Sequence, residues 1–129
     1  MAIAGGVPFH GEFSSADATA LSEANARFAL YGQGGTTALA LNANDYVMIS
    51  QITVSSAATT ALAQVYDGAD NVVDAGEEVH GGIVPTNSTV NVPILSPHCC
   101  QKGTYPKFKA SAAGNVRAQI RGTIYRSGA

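Results

Sequence analysis

The segment SPHCCQKGTYPKF, residues 96–108, holds the side chains of this sequence with the strongest capacity for chemistry. Both cysteines of the chain, Cys99 and Cys100, stand side by side there, directly after His98. Thiolate sulfur and imidazole nitrogen are preferred zinc ligands, and thiols also form disulfides or act as nucleophiles. The segment is therefore the first place to look for a metal site, a disulfide or a catalytic group.

The spacing of these residues argues against a closed metal site and against an ordinary disulfide. A structural zinc site takes four ligands, and the sequence has no Cys-x-x-Cys pair; adjacent residues of an extended segment also point to opposite faces. Neighbouring Cα atoms lie about 3.8 Å apart, below the roughly 4.4–6.8 Å typical of disulfides. We predict one buried and one exposed thiol, with no metal and no other cofactor. A site formed where copies of His98 or of a cysteine meet on a symmetry axis stays open.

The sequence contains none of the usual catalytic signatures. There is no G-x-S-x-G motif, no P-loop and no G-x-G-x-x-G motif that opens a helix. The acidic pair Glu77-Glu78 is unsuited to acid/base catalysis in an extended chain, because the two carboxylates face opposite ways. DGADNVVDAGEE, residues 67–78, is acidic but lacks the ligand spacing of a calcium loop. We predict no catalytic residues and a protein that is not an enzyme.

Composition favours a protein that hides part of its surface in an assembly. Hydrophobic residues make up 46% of the 129 positions, charged residues only 12%, and there is no Trp. Few charges are thus available to cover a surface. No apolar run is long enough to span a membrane, and the N-terminus lacks the basic and apolar blocks of a secretory signal. We expect synthesis in a cytoplasm and no membrane partner.

Charge is divided unequally along the chain. All nine acidic residues lie at or before Glu78, and six of the seven basic residues lie at or after Lys102. The basic half could form a nucleic-acid face, but its six charges are spread over three strands, and the N-terminal region has no basic residue before Arg27. We therefore predict no nucleic-acid partner and assign the basic side chains to ion pairs with acidic strands, within or between subunits.

From residue 26 onward the hydrophobic pattern has a period of two. NVRAQIRGTIY, residues 115–125, alternates apolar with polar side chains and so predicts a half-buried antiparallel strand. Similar runs and Gly/Asn/Asp turns recur at spacings of about 8–12 residues, which predicts about eight strands. Pro93 and Pro106 predict edge strands or bulges. The expected fold is an all-β antiparallel β-sandwich or jelly roll over residues 26–129.

Residues 1–25 lack this alternation and are rich in Gly, Ser and Ala. We predict an N-terminal arm, extended or with a short helix, whose apolar side chains Phe9, Phe13 and Leu21 contact a neighbouring subunit or a larger shell. A disordered tail is the alternative.

Two phrases of the sequence carry a resemblance. DYVMISQITVSSAATTALAQVYDG, residues 45–68, and CCQKGTYPKFKASAAGNVRAQIRGTI, residues 99–124, together with the irregular arm and the low charge content, resemble the small β-sandwich decoration (cement) proteins of tailed bacteriophages. Such proteins typically assemble as trimers on the outside of a capsid and reinforce the joints between capsomers. No site residues can be transferred on this basis.

The resemblance implies a non-enzymatic virion protein, a homotrimer on the capsid exterior that stabilises the major capsid protein shell. Arg117 and Arg121 are then expected to pair across an interface. The alternative is a carbohydrate- or receptor-binding β-sandwich module of a virion fibre or lectin-like protein, which needs exposed aromatic side chains. Tyr46, Tyr66 and Tyr125 are the candidates for that role.

Overall fold

A computed structural model describes residues 6–14, 26–32, 34–57, 60–68, 73, 76–111 and 116–126 of the chain. Within these ranges every strand pairs antiparallel with its neighbours, as expected for an all-β sandwich. No helix in the described ranges has the length and hydropathy needed to cross a membrane. The strands in chain order are β1 (Gly6–Ser14), β2 (Ala29–Gly32), β3 (Tyr46–Ser56), β4 (Ala61–Tyr66), β5 (Glu78–Val84), β6 (Ser88–Cys99), β7 (Lys107–Ala110) and β8 (Val116–Tyr125).

The strands form two sheets with the nested pairing of a jelly roll. One sheet has the order β2-β1-β8-β3-β6, and the other has the order β5-β4-β7. The first strand pairs with the last, β3 pairs with β6, and β4 pairs with β5. A bridge between Arg27 and Lys107 joins the chain just before β2 to β7, which completes the series. This arrangement confirms the predicted all-β sandwich and specifies it as a jelly roll.

Strand β8 shows why the alternation in the sequence was informative. Its apolar side chains Val116, Ala118, Ile120 and Ile124 are buried in the core, whereas Arg117, Gln119 and Arg121 are exposed. Successive side chains of a strand point to opposite faces, so one face of the sheet packs on the core and the other meets solvent.

An aromatic cluster joins the two sheets through the core. The ring centroid of Phe13 lies 4.8 Å from that of Phe108 and 6.1 Å from that of Phe28. The Phe28 and Phe108 rings are 6.2 Å apart and meet edge to face, a favoured geometry for aromatic pairs. Phe13 belongs to β1 and Phe108 to β7, so the cluster packs one sheet against the other.

The structure corrects the prediction of an N-terminal arm over residues 6–14. These residues form β1, which lies between β2 and β8, and the Phe9 and Phe13 side chains are each only 4% exposed. Both side chains are therefore used in the core of their own chain and are not interface groups. Leu21 and the predicted short helix lie outside the described residues.

Gly11 explains why the sequence pattern did not predict strand β1. Phe9, Gly11 and Phe13 share the inward face of β1, but Gly11 interrupts the apolar pattern. A Cβ atom at Gly11 would lie 2.7 Å from Cγ1 of Ile120, closer than side-chain atoms pack, so the small residue permits β1 and β8 to approach.

Pro93 lies inside a strand, as the sequence pattern predicts, whereas Pro106 lies just before one. Pro93 belongs to β6, an edge strand of the five-stranded sheet, and it pairs with Gln51 next to an irregularity in the register. Pro106 directly precedes β7, an edge strand of the three-stranded sheet. The predicted link between proline and edge strands or bulges is confirmed.

Replacing Phe13 by alanine tests whether β1 belongs to the core. We expect Phe13→Ala to lower the free energy of unfolding by about 3–5 kcal/mol, since a large buried ring is removed and a cavity is left. Equilibrium denaturation in urea, followed by circular dichroism, measures the change.

Val7→Ala is the matched control on the same strand. The Val7 side chain is exposed, so its truncation should change the free energy of unfolding by no more than about 0.5 kcal/mol. Equal effects of the two substitutions would contradict the assignment of Phe13 to the core.

Candidate functional site

The segment that holds His98, Cys99 and Cys100 passes from one sheet to the other. His98 and Cys99 end β6 of the five-stranded sheet, and residues 100–106 form a loop that leads into β7 of the three-stranded sheet. Within the loop, Gly103 has a φ of 72°, a left-handed conformation that favours glycine. The residues with metal-binding or nucleophilic side chains therefore lie at one end of the sandwich, where the chain changes sheets.

The two cysteines have different environments, as predicted. Cys99 is exposed and Cys100 is buried, and both thiols are free. The backbone N–H of Cys100 donates a 2.8 Å hydrogen bond to the carbonyl oxygen of Val47, which fixes the start of the loop against β3. The expectation of one buried and one exposed thiol is confirmed.

Asp67 is the residue that sequence analysis did not connect with this segment. It directly follows β4 and is only 3% exposed. Its Oδ2 atom lies 3.0 Å from Nε2 of His98 and accepts a 3.3 Å hydrogen bond from the backbone N–H of Gln101. Its Oδ1 atom is buried and has no hydrogen-bond partner among the described residues.

Asp67, His98 and Cys100 together form a compact cluster of three metal-ligating groups. One carboxylate oxygen, one imidazole nitrogen and the Cys100 sulfur all lie within 4.8 Å of one another. His98 and Cys100 are two positions apart on an extended chain, so both can face Asp67 while Cys99 between them points away. We call these three residues the Asp67 cluster.

A buried lysine lies beside the Asp67 cluster. Lys107, the first residue of β7, is buried, and its ammonium donates hydrogen bonds to the carbonyl oxygens of Gly68 and Tyr105. The carbonyl oxygens that bind the ammonium belong to the residue after Asp67 and to the loop before β7, and its positive charge acts on the Cys100 thiol of the cluster.

The Cys100 thiol is not set up as a nucleophile in this structure. Burial raises the pKa of Cys100 well above its ordinary value, and the negative charges of Asp67 and Cys99 raise it further, whereas Lys107 acts in the opposite direction. A catalytic cysteine needs a lowered pKa and access to its substrate. The Cys-His-Asp grouping therefore differs in both respects from that of a thiol protease.

The predicted interface arginines lie elsewhere. Arg117 and Arg121 are exposed on the outer face of the five-stranded sheet, on strand β8. Arg121 lines a shallow groove of about 400 Å³ with His10 and Ser50, and Arg117 lines another of about 570 Å³ at the Ser55 end of the sheet. The structure places neither of them in the Asp67 cluster.

The aromatic residues proposed for carbohydrate binding are separated. The Tyr66 side chain is fully buried, so it cannot contribute to a binding surface. Tyr46 is exposed and lies directly opposite the half-buried Tyr125 on the neighbouring strand. Of the three tyrosines predicted for carbohydrate binding, Tyr46 and Tyr125 are the two that reach the surface.

The spacing of His98 and Cys100 in the sequence was a partial indication of the Asp67 cluster. The pattern His-x-Cys places its two side chains on one face of a strand, which the adjacency of the two cysteines obscured. Asp67 lies 31 residues before His98, and in the sequence it belongs to a turn-like DGADN run. Only the pairing of strands brings the end of β4 to the end of β6.

Comparisons of the chain with protein-family models, with curated proteins and with solved structures found no match.

Alkylation tests the different environments of the two thiols. In the folded protein at pH 8 we expect iodoacetamide to modify Cys99 alone, because Cys100 is buried and its raised pKa leaves little thiolate. Mass spectrometry of the intact chain and of its peptides should show one adduct, and a second only after unfolding.

Single serine variants provide the controls for this labelling. Cys99→Ser should remove the fast adduct, whereas Cys100→Ser should retain it. Rapid modification of Cys100 in the folded chain would contradict the buried position of its sulfur.

Proposed function

We propose that this protein is a non-enzymatic virion protein that binds the outside of a phage capsid as a homotrimer and stabilises the major capsid protein shell. Three properties support the proposal: the resemblance of the sequence to decoration proteins, a charge-poor jelly-roll domain, and two outer sheet faces with groups suited to protein contact. Substitutions on the two outer sheet faces can test the third property directly.

The outer face of the five-stranded sheet carries two arginines that make no ion pair within the described part of the chain. Arg121 lies between His10 and Gln51 on the neighbouring strands, and Arg117 lies beside Ser55. The His10 ring stacks on Tyr31, with the centroids 5.4 Å apart, so the row next to Arg121 is ordered. Arginine is enriched in protein interfaces, where its guanidinium binds carboxylates with two hydrogen bonds.

The proposal rests chiefly on these two exposed arginines. Both are fixed on β8, which has paired strands on each side, so their backbone positions are rigid. A partner surface with carboxylates at matching positions would bind them without rearranging the sheet. We assign this face to the capsid.

The outer face of the three-stranded sheet carries an exposed apolar pair. Leu62 and Ile83 lie directly opposite each other on β4 and β5 and are 39% and 60% exposed. Burial of such a pair against another copy of the chain would favour association. We assign this face to subunit contacts, and a trimer would then present three copies of the arginine face and dissociate from a shell far more slowly than a single chain.

Charge reversal tests the capsid-binding face. Particles assembled from the major capsid protein encoded in the same genome should co-sediment with the purified protein, and Arg117→Glu or Arg121→Glu should each weaken this binding by about tenfold or more. Lys102→Glu is the control, because Lys102 is an exposed residue of the loop and undergoes the same change of charge.

Equal losses in the loop variant and in the arginine variants would contradict the assignment of this face. Binding of glycans by the isolated protein, with no binding to capsids, would instead favour the carbohydrate-binding alternative and its Tyr46 and Tyr125 surface. The neighbouring genes provide a further check, since genes for a portal, a protease and a major capsid protein are expected beside this one.

Light scattering after gel filtration tests the subunit contact. We expect a mass of about three times the chain mass of 13.1 kDa for the wild-type protein. Ile83→Asp should shift the mass toward that of a single chain, because a charge on the apolar pair opposes its burial. Tyr46→Asp introduces the same charge at an exposed side chain of the other sheet and should leave the mass unchanged. A monomeric wild-type protein would contradict the trimer.

A further inference from the structure

We propose that Asp67, His98 and Cys100 bind one zinc ion per chain, with the fourth position of the metal open to solvent. The site does not depend on the proposed capsid role, and it reverses the prediction from sequence that the chain has no metal site. Its basis is the geometry of the Asp67 cluster and the state of one buried oxygen atom.

The distances within the cluster suit a tetrahedral ion. Zinc bonds of about 2.0–2.3 Å to oxygen, nitrogen and sulfur place ligand atoms about 3.3–3.7 Å apart. In the structure one carboxylate oxygen of Asp67, one imidazole nitrogen of His98 and the Cys100 sulfur lie within 4.8 Å of one another. The 3.0 Å contact between His98 Nε2 and Asp67 Oδ2 is a hydrogen bond, which the imidazole would exchange for a bond to the ion. Side-chain movements of about 1 Å would bring the three ligand atoms into position around one ion.

The unpartnered oxygen of Asp67 is an independent indication of a ligand. Oδ1 is buried and accepts no hydrogen bond from the described residues, although buried carboxylate oxygens normally have partners. A cation bound through Oδ1 would supply that partner. Oδ2 would keep the hydrogen bond from the Gln101 N–H, which is the kind of outer contact that orients a metal-binding carboxylate.

The donor atoms favour zinc over other common cations. Sulfur and imidazole nitrogen are poor ligands for magnesium and calcium, which prefer oxygen, and they suit zinc. The Asp67 carboxylate and the Cys100 thiolate would balance the charge of the ion, while the buried Lys107 ammonium remains as a further positive charge beside the site and favours the thiolate form of Cys100. Binding forms the sulfur–zinc bond and releases the Cys100 proton to solvent, so affinity should fall as the pH is lowered.

The position of the site indicates what the ion would do. Asp67 ends β4 of the three-stranded sheet, whereas His98 and Cys100 lie at the end of β6 in the five-stranded sheet and in the loop after it. A metal bound to all three would link the two sheets at this end of the sandwich. The partly exposed His98 gives the open position access to water. We therefore expect zinc to raise the melting temperature.

Metal analysis and cobalt spectroscopy test the site. Protein purified without chelator and passed over a desalting column should contain about one zinc per chain, as measured by inductively coupled plasma mass spectrometry. After zinc removal, Co²⁺ should give the visible bands of a tetrahedral ion together with a thiolate-to-cobalt charge-transfer band. EDTA should lower the melting temperature of the wild-type protein.

Cys99 supplies a matched control for the metal ligand beside it. Cys99→Ser should retain zinc and the charge-transfer band, whereas Cys100→Ser should lose the band and bind Co²⁺ at least about 100-fold more weakly. If Cys100→Ser does not fold, His98→Gln and Asp67→Asn test the same site. Circular dichroism checks that each variant is folded. Both should lower Co²⁺ affinity by a similar factor.

Three results would overturn the proposal. The first is a wild-type protein that holds no stoichiometric zinc and gives no cobalt bands. The second is loss of the charge-transfer band in Cys99→Ser with retention in Cys100→Ser. The third is one metal per three chains, which would assign the ion to a symmetry axis rather than to the Asp67 cluster. None of these results bears on capsid binding.

Discussion

The central position of β8 is the constraint on which the rest of the structure depends. It pairs with β1 on one side and with β3 on the other, so a strand from near the end of the described chain fixes the register of two earlier ones. The pairing of the first strand with the last closes the nested series that defines the jelly roll. It also brings the Phe9 and Phe13 rings into the core, where Phe13 contacts Phe108 across the two sheets.

One end of the sandwich is organised by polar groups rather than by apolar packing. The loop over residues 100–106 is held between two buried aspartates, Asp45 and Asp67. The carbonyl oxygen of Asp45 accepts a 2.7 Å hydrogen bond from the Gly103 N–H, and its carboxylate lies 3.3 Å from Nη1 of Arg126. Asp67 accepts a hydrogen bond from the next part of the loop, at Gln101. Because a crossing between sheets cannot use the strand ladder, its backbone groups are satisfied by these side chains and carbonyls.

The proposed metal ligands and the proposed contact faces lie in different parts of this molecule. The metal-ligating residues are drawn together where the chain passes between sheets, and they face inward. The two outer sheet faces remain available for partners and differ in kind: the larger carries arginines among polar side chains, and the smaller carries the apolar pair Leu62 and Ile83. This division is compatible with the proposed role in assembly and with a structural role for the proposed ion. It also explains why the proposed capsid binding and the proposed metal binding can be tested independently.

Features that depend on near neighbours along the chain could be predicted from the sequence alone. The alternation in β8, the edge positions of Pro93 and Pro106 and the different burial of Cys99 and Cys100 all follow from a side-chain period of two and from the missing N–H of proline. Features that depend on strand order became apparent only in the folded chain. Gly11 removed the apolar signal of β1, so only its pairing with β8 identified that strand. Asp67 and His98 are 31 residues apart, and their 3.0 Å contact exists because the jelly-roll pairing places the ends of β4 and β6 together, which local periodicity does not encode.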